Sequence, residues 1–132
     1  MTGLDTNVLV RYFAQDHPEQ SLRATRLIES FSTQEQGFVP LVTMTELVWV
    51  LRSSYNTTKE DTIAILDDLL HAIGIVVENA AVVAQAIRVY AESNADFADC
   101  LIERSAHSAH CTHTVTLDEK AAKTAGMVLL DS

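Results

Sequence analysis

Apolar residues along this chain fall into short continuous runs that alternate with longer stretches in which they recur every three or four positions. Short runs suit buried strands, and the longer spacing suits amphipathic helices. Met1–Leu4 reads as a first strand, continued by a helix over Asn7–Phe13. Pro18–Ser32 is predicted as a second helix, with Pro18 near its first turn and Leu22, Leu27, Ile28 and Phe31 toward the core. Gly37–Val39 is a short strand. Thr43–Ser54 is a helix burying Leu47, Val48, Val50 and Leu51, and Thr58–Ala72 is another carrying Ile63, Leu66, Leu69 and Leu70. Thr58 with Asp61 resembles a capping box. Ile75–Val77 is a strand, and Asn79 can cap a helix over Ala80–Ser93. Asp96–Ser108 is helical, with Phe97, Cys100, Leu101 and Ile102 on its core side. Thr114–Thr116 is strand-like, Glu119–Ala125 a short helix with Gly126 at its C-cap, and Met127–Leu130 a last strand.

The order β-α-α-β-α-α-β-α-α-β-α-β predicts an α/β fold with a mainly parallel sheet. Ligands in such sheets bind beyond the carboxyl ends of the strands. The chemistry is therefore expected just after strands.

Composition narrows this little. The 132 residues fit one domain spanning 1–132, and 4 Gly with 2 Pro leave no linker-like stretch. A hydrophobic share of 48% with 20% charged residues is globular rather than disordered. No apolar run is long enough to span a bilayer, and no basic-then-apolar stretch marks an export signal. The expected location is the cytoplasm, with Cys100 and Cys111 reduced core residues.

Charge changes the picture more. Eighteen acids against 9 bases give a net charge of −9. Phosphate affinity comes mainly from Lys and Arg. So either the partner is not nucleic acid, or acids are gathered where a cation neutralises them.

The acids sit where chemistry would need them. Asp5 follows the first strand in Leu4-Asp5-Thr6-Asn7, and Asp118 follows Val115-Thr116-Leu117. Glu46 lies in the first turn of the third predicted helix. Asp96, Asp99 and Glu103 are spaced by three and four, which puts them on one helix face, where they repel. Each has a plainer explanation. Asp5, Asp96 and Asp118 can be N-caps, and Thr43-x-x-Glu46 can be a capping box. Those explanations do not predict that all of them fall at strand ends or first helical turns. Converging carboxylates raise one another's pKa values and oppose folding, a penalty that a divalent ion reverses. Oxygen-only ligation suits Mg²⁺ or Mn²⁺, and such sites commonly hydrolyse phosphodiesters.

At these residues the chain resembles a PIN-domain ribonuclease of the VapC toxin type. The resemblance covers essentially the whole chain. It rests on Leu4-Asp5-Thr6-Asn7-Val8-Leu9-Val10-Arg11-Tyr12, Thr45-Glu46-Leu47, Ala95-Asp96-Phe97-Ala98-Asp99-Cys100-Leu101-Ile102 and Val115-Thr116-Leu117-Asp118-Glu119-Lys120-Ala121-Ala122-Lys123. It implies a three-layer α/β/α sandwich and an acidic site binding Mg²⁺ or Mn²⁺. It also implies an RNA substrate, a homodimer and a cognate antitoxin. Asp5, Glu46 and Asp99 match the core acids, Asp118 a more variable fourth, and Asp96 a frequent additional acid. Metal ligation falls to Asp5 and Asp99 most directly, with Asp96 and Asp118 as further ligands. Glu46 would position or deprotonate the attacking water. Thr6, Asn7 and Thr116 match polar residues that orient the carboxylates. Setting aside Asp5, Glu46, Asp96, Asp99 and Asp118 leaves 13 acids against 9 bases, a balance of −4. The site thus explains about half the imbalance. Arg11, Arg104 and Lys120 are candidate phosphate contacts. Ile102-Glu103-Arg104 and Glu119 depart from the usual pattern without removing a ligand.

Two rivals stand beside this reading. His107, His110 and His113 with Cys111 offer zinc-type donors, but the run crosses a predicted helix end and so cannot share one face. A non-enzymatic phospho-receiver module also has a Mg²⁺-binding acidic pocket. It needs paired acids after the first strand and a Lys where Asp118 stands.

Overall fold

The computed structural model describes residues 1–130, so the last two residues of the expected 1–132 span lie outside it. It contains two compact units, one over Met1–Ala80 and the other from Ala81 onward. The order of elements is the predicted one throughout.

The first unit holds β1 (Thr2–Gly3), α1 (Thr6–Ala14), α2 (Pro18–Glu29), β2 (Gly37–Val39), α3 (Leu41–Ser54), α4 (Lys59–His71) and β3 (Ile75–Val77). The strands form a parallel sheet ordered β1-β2-β3, with Thr2 opposite Gly37 and Gly37 opposite Ile75. Parallel neighbours need crossover connections, which the helix pairs α1–α2 and α3–α4 provide. Leu9, Val39, Met44, Leu47 and Leu66 are fully buried and form its core. Gly74 turns the chain into β3 at φ +85, and a Cβ there would lie 2.7 Å from the backbone nitrogen of Ser32. Only glycine meets both demands.

The second unit holds most of α5 (Ala80–Glu92), then α6 (Phe97–Ser108), β4 (Val115–Thr116), α7 (Glu119–Thr124) and β5 (Val128–Leu129). β4 and β5 pair in parallel, Val115 opposite Val128. Val83, Ala86, Ile87 and Tyr90 make the buried stripe of α5, and Tyr90 meets Phe97 edge-on with ring centroids 5.7 Å apart. Gly126, at φ +77 just past the C-cap Ala125, ends α7 as expected. All pairings being parallel, the α/β class holds, with the strands in two sheets, β1-β2-β3 and β4-β5.

Several expected details change. Leu22 is half exposed because the buried stripe of α2 is Ser21, Ala24 and Ile28. Ile102 is likewise exposed, lying about 100° around α6 from buried Leu101. Thr58 does cap α4, accepting from the Asp61 N–H. Asn79 does not adopt the extended N-cap backbone; its φ is 49. Cys100 is buried but Cys111 is exposed, with no disulfide between them. Among the described residues no helix is long and apolar enough to cross a membrane.

Candidate active site

In the first unit the site residues gather where β1 ends. The buried Leu4 donates its N–H to the Phe38 carbonyl, as a last rung on β2. Asp5 then leaves the sheet in extended conformation and caps α1, its Oδ1 accepting from the Thr6 N–H at 2.8 Å. The plain reading of Asp5 is thus realised, while its carboxylate stays at the surface. Thr6 is 8% exposed, and its hydroxyl donates to Oε1 of Glu46 at 3.0 Å. Asn7 lines a cavity of about 300 Å³ with Val8, Arg11, Gln20 and Arg23.

The capping box at Thr43 and Glu46 is not formed. α3 starts two residues earlier, at Leu41, whose N–H is satisfied by the Glu78 carboxylate from beyond β3 at 2.9 Å. Thr43 is then inside the helix, and its buried hydroxyl donates to the Leu4 carbonyl at 3.2 Å. Glu46, released from capping, faces Thr6 instead. Its plain explanation therefore fails, and two hydrogen bonds from α1 and α3 hold the Leu4–Thr6 turn.

In the second unit Asp96, Asp99, Asp118 and Lys120 form one charged group. Asp96 is the N-cap residue of α6, but its side chain makes no capping bond. Its Oδ1 accepts instead from Lys120 Nζ at 3.0 Å. Asp118 caps α7, accepting from the Lys120 N–H at 2.9 Å, and its own N–H donates to Thr116 Oγ1 at 3.0 Å. Thr116 thus orients Asp118 through the backbone. Asp99 is half-buried in the first turn of α6. Burial pushes its carboxyl above the ordinary value, the charges of Asp96 and Asp118 push the same way, and Lys120 opposes them. The Lys120 ammonium is in turn held charged by its bond to Asp96. Glu103 stands apart from this group: its two carboxylate oxygens accept from Nε and Nη2 of the adjacent Arg104 guanidinium, at 2.6 and 3.1 Å.

All three candidate phosphate contacts are engaged. Arg104 is held by Glu103, and Lys120 by Asp96. Arg11 donates to Gln20 at 2.7 Å and to the Tyr55 hydroxyl at 3.3 Å, and pairs with Asp16 at 3.5 Å. The sequence reading missed that network, because Tyr55 and Asp16 carry no motif and lie 39 residues apart.

The oxygen-only donor set fits a hard cation such as Mg²⁺ or Mn²⁺. Asp99 in particular is a half-buried carboxylate facing two others, which a cation would relieve. Even so, no three His, Cys, Asp or Glu side chains among the described residues converge closely enough to hold a metal ion. That covers the zinc-type donors too. His110 sits at φ 70 in the turn closing α6, where the Cys111 N–H bonds back to Ala106. His107 and His113 are thereby left on opposite sides of that turn.

A comparison with curated proteins gave no match. The family model for the PIN domain matches residues 4–127, a span that begins beside Asp5 and includes Glu46, Asp96, Asp99 and Asp118. The chain therefore belongs to the PIN domain family, with the nuclease-like fold that the family implies.

Proposed function

We propose that this PIN domain is a Mg²⁺-dependent endoribonuclease, the toxin of a toxin–antitoxin pair, with Asp5, Glu46, Asp99 and Asp118 as its working acids. The observation that carries the reading is Asp99, a carboxyl half-buried beside Asp96 and Asp118 and pushed up by both burial and their charge. Nothing in ordinary helix capping calls for that arrangement. Asp99, Asp96 and Asp118 would hold the cation in the second unit, and Asp5 offers the same donor chemistry at the end of β1. Bound Mg²⁺ would supply a more acidic water and charge stabilisation at the phosphate.

The chain's own groups do the rest. Glu46 Oε1 is fixed by the Thr6 hydroxyl, which leaves Oε2 to take a proton from the attacking water. Asp5 is held in place at the N-terminus of α1 by the Thr6 N–H, which its Oδ1 accepts. A cognate antitoxin offering a basic side chain would suit the −9 balance. Exposed Val42 and Trp49, seven residues apart on α3, suit a homodimer. The cytoplasm is the compartment where such a toxin would meet RNA.

The test is RNA cleavage by protein freed of any antitoxin. Chelation should stop it and Mg²⁺ should restore it. Equal cleavage by wild type and Asp5→Asn would sink the assignment.

A further inference from the structure

We propose that the cavity between α1 and α2 seats one unpaired nucleotide of an RNA strand, with Arg11 and Arg23 on its phosphate. This deepens the ribonuclease reading and rests on it for the identity of the strand, but needs no metal. The cavity measures about 300 Å³, at the small end of ligand pockets, which suits one nucleotide rather than a duplex. Asn7, Arg11, Gln20 and Arg23 supply its polar lining, and Val8, Ala24 and Leu27 its apolar part. No acid lines it, although the chain has 18 acids against 9 bases. A splayed base could rest on the apolar part, with the Asn7 and Gln20 amides at its edge.

Arg11 is set in place before any ligand arrives. Its Nε donates to Gln20, and its Nη1 donates to the Tyr55 hydroxyl and pairs with Asp16. Tyr55 is itself fixed, donating to Asp16 at 2.9 Å. These bonds use Nε and Nη1 and leave Nη2 to a ligand. A guanidinium oriented in this way loses little freedom on binding. Arg23 faces the cavity from α2, and its pair with Glu19 is 71% and 72% exposed, so it exchanges readily. Guanidinium suits carboxylate and phosphate alike; position favours the phosphate. Asn7 follows Asp5 by two residues, and Arg11 stands one turn further along α1, about 6 Å by helix rise. A strand presented to Asp5 and Glu46 would thus meet Arg11 at a neighbouring phosphate.

The experiment is fluorescence anisotropy of a labelled single-stranded oligoribonucleotide with the whole chain, in EDTA and over a range of salt. Arg11→Gln and Arg23→Gln should each weaken binding about fivefold and lower the slope of log affinity against log salt by about 0.7. Tyr55→Phe keeps every charge but releases Arg11, so affinity should fall about threefold with the slope unchanged. Arg88→Gln, on the exposed side of α5, removes the same charge elsewhere and should stay near wild type. Circular dichroism checks folding, and the exposed Arg23 gives a variant that should fold whatever Arg11→Gln does. Wild-type affinity and slope in Arg11→Gln and Arg23→Gln overturn the subsite, and so does an equal loss in Arg88→Gln. If wild type still cleaves RNA, the nuclease reading then stands alone. The expected losses without cleavage in any metal support the subsite and remove the nuclease. Variants that lose a labelled poly-glutamate peptide but keep RNA overturn the subsite in favour of a protein partner.

Discussion

The hydroxyl of Thr6 donates to the carboxylate of Glu46 at 3.0 Å, although forty residues separate them in the chain. This bond ties the first residue of α1 to the second turn of α3. It also fixes one oxygen of the exposed Glu46 side chain against the buried Thr6.

Thr6→Val should separate positioning from charge. Loss of the bond costs about 1 kcal/mol of stability by denaturant unfolding, and RNA cleavage should drop about tenfold as Glu46 loses its orientation. Glu46→Gln still accepts from Thr6, so stability should hold within about 0.5 kcal/mol. Its cleavage rate should nevertheless fall about 100-fold. Full activity in Glu46→Gln would remove Glu46 from the chemistry.

Asp99 predicts a pH dependence of stability in metal-free protein. Its raised carboxyl means that the folded chain holds this proton to higher pH than the unfolded chain. The stabilisation is complete below the ordinary value of 3.8 and is lost as pH rises through the folded value. At neutral pH Asp99→Asn should therefore melt higher than wild type, and the difference should vanish in acid. Added Mg²⁺ should raise the melting temperature of wild type more than that of Asp99→Asn.

Thr43→Val is close to isosteric but strands the Leu4 carbonyl, which accepts from the Thr43 hydroxyl. Unfolding should be easier by about 1–2 kcal/mol. Cleavage should fall with it, because Asp5 is the next residue. Unchanged stability would show that this carbonyl finds another donor.

Tyr55 donates its hydroxyl to Asp16 at 2.9 Å. That hydrogen bond, aided by burial and the Asp16 charge, pushes the phenol above its ordinary 10.0, against the opposing effect of Arg11. Its contribution to stability is present at neutral pH and is lost as pH rises through the folded value. Ultraviolet titration should show Asp16→Asn lowering the Tyr55 midpoint, and Arg11→Gln raising it.

Much of this protein was legible in the chain alone. Apolar periodicity is local, so it set the element order and the helix identities, and it marked Thr58 and Gly126 as caps. Chain position likewise put Asp5, Asp96 and Asp118 at helix starts. Bonds between distant segments were decided only by tertiary structure. Glu78 caps α3 from beyond β3, which moved the helix start and turned Glu46 from a capping residue into a partner of Thr6. Lys120 draws Asp96 away from its own helix. Leu22 and Ile102 were misjudged because hydrophobicity says how a residue partitions, whereas packing decides which stripe of a helix is covered. A carboxylate's neighbours along the chain foretell its caps, but the groups that set its charge and orientation arrive through folding.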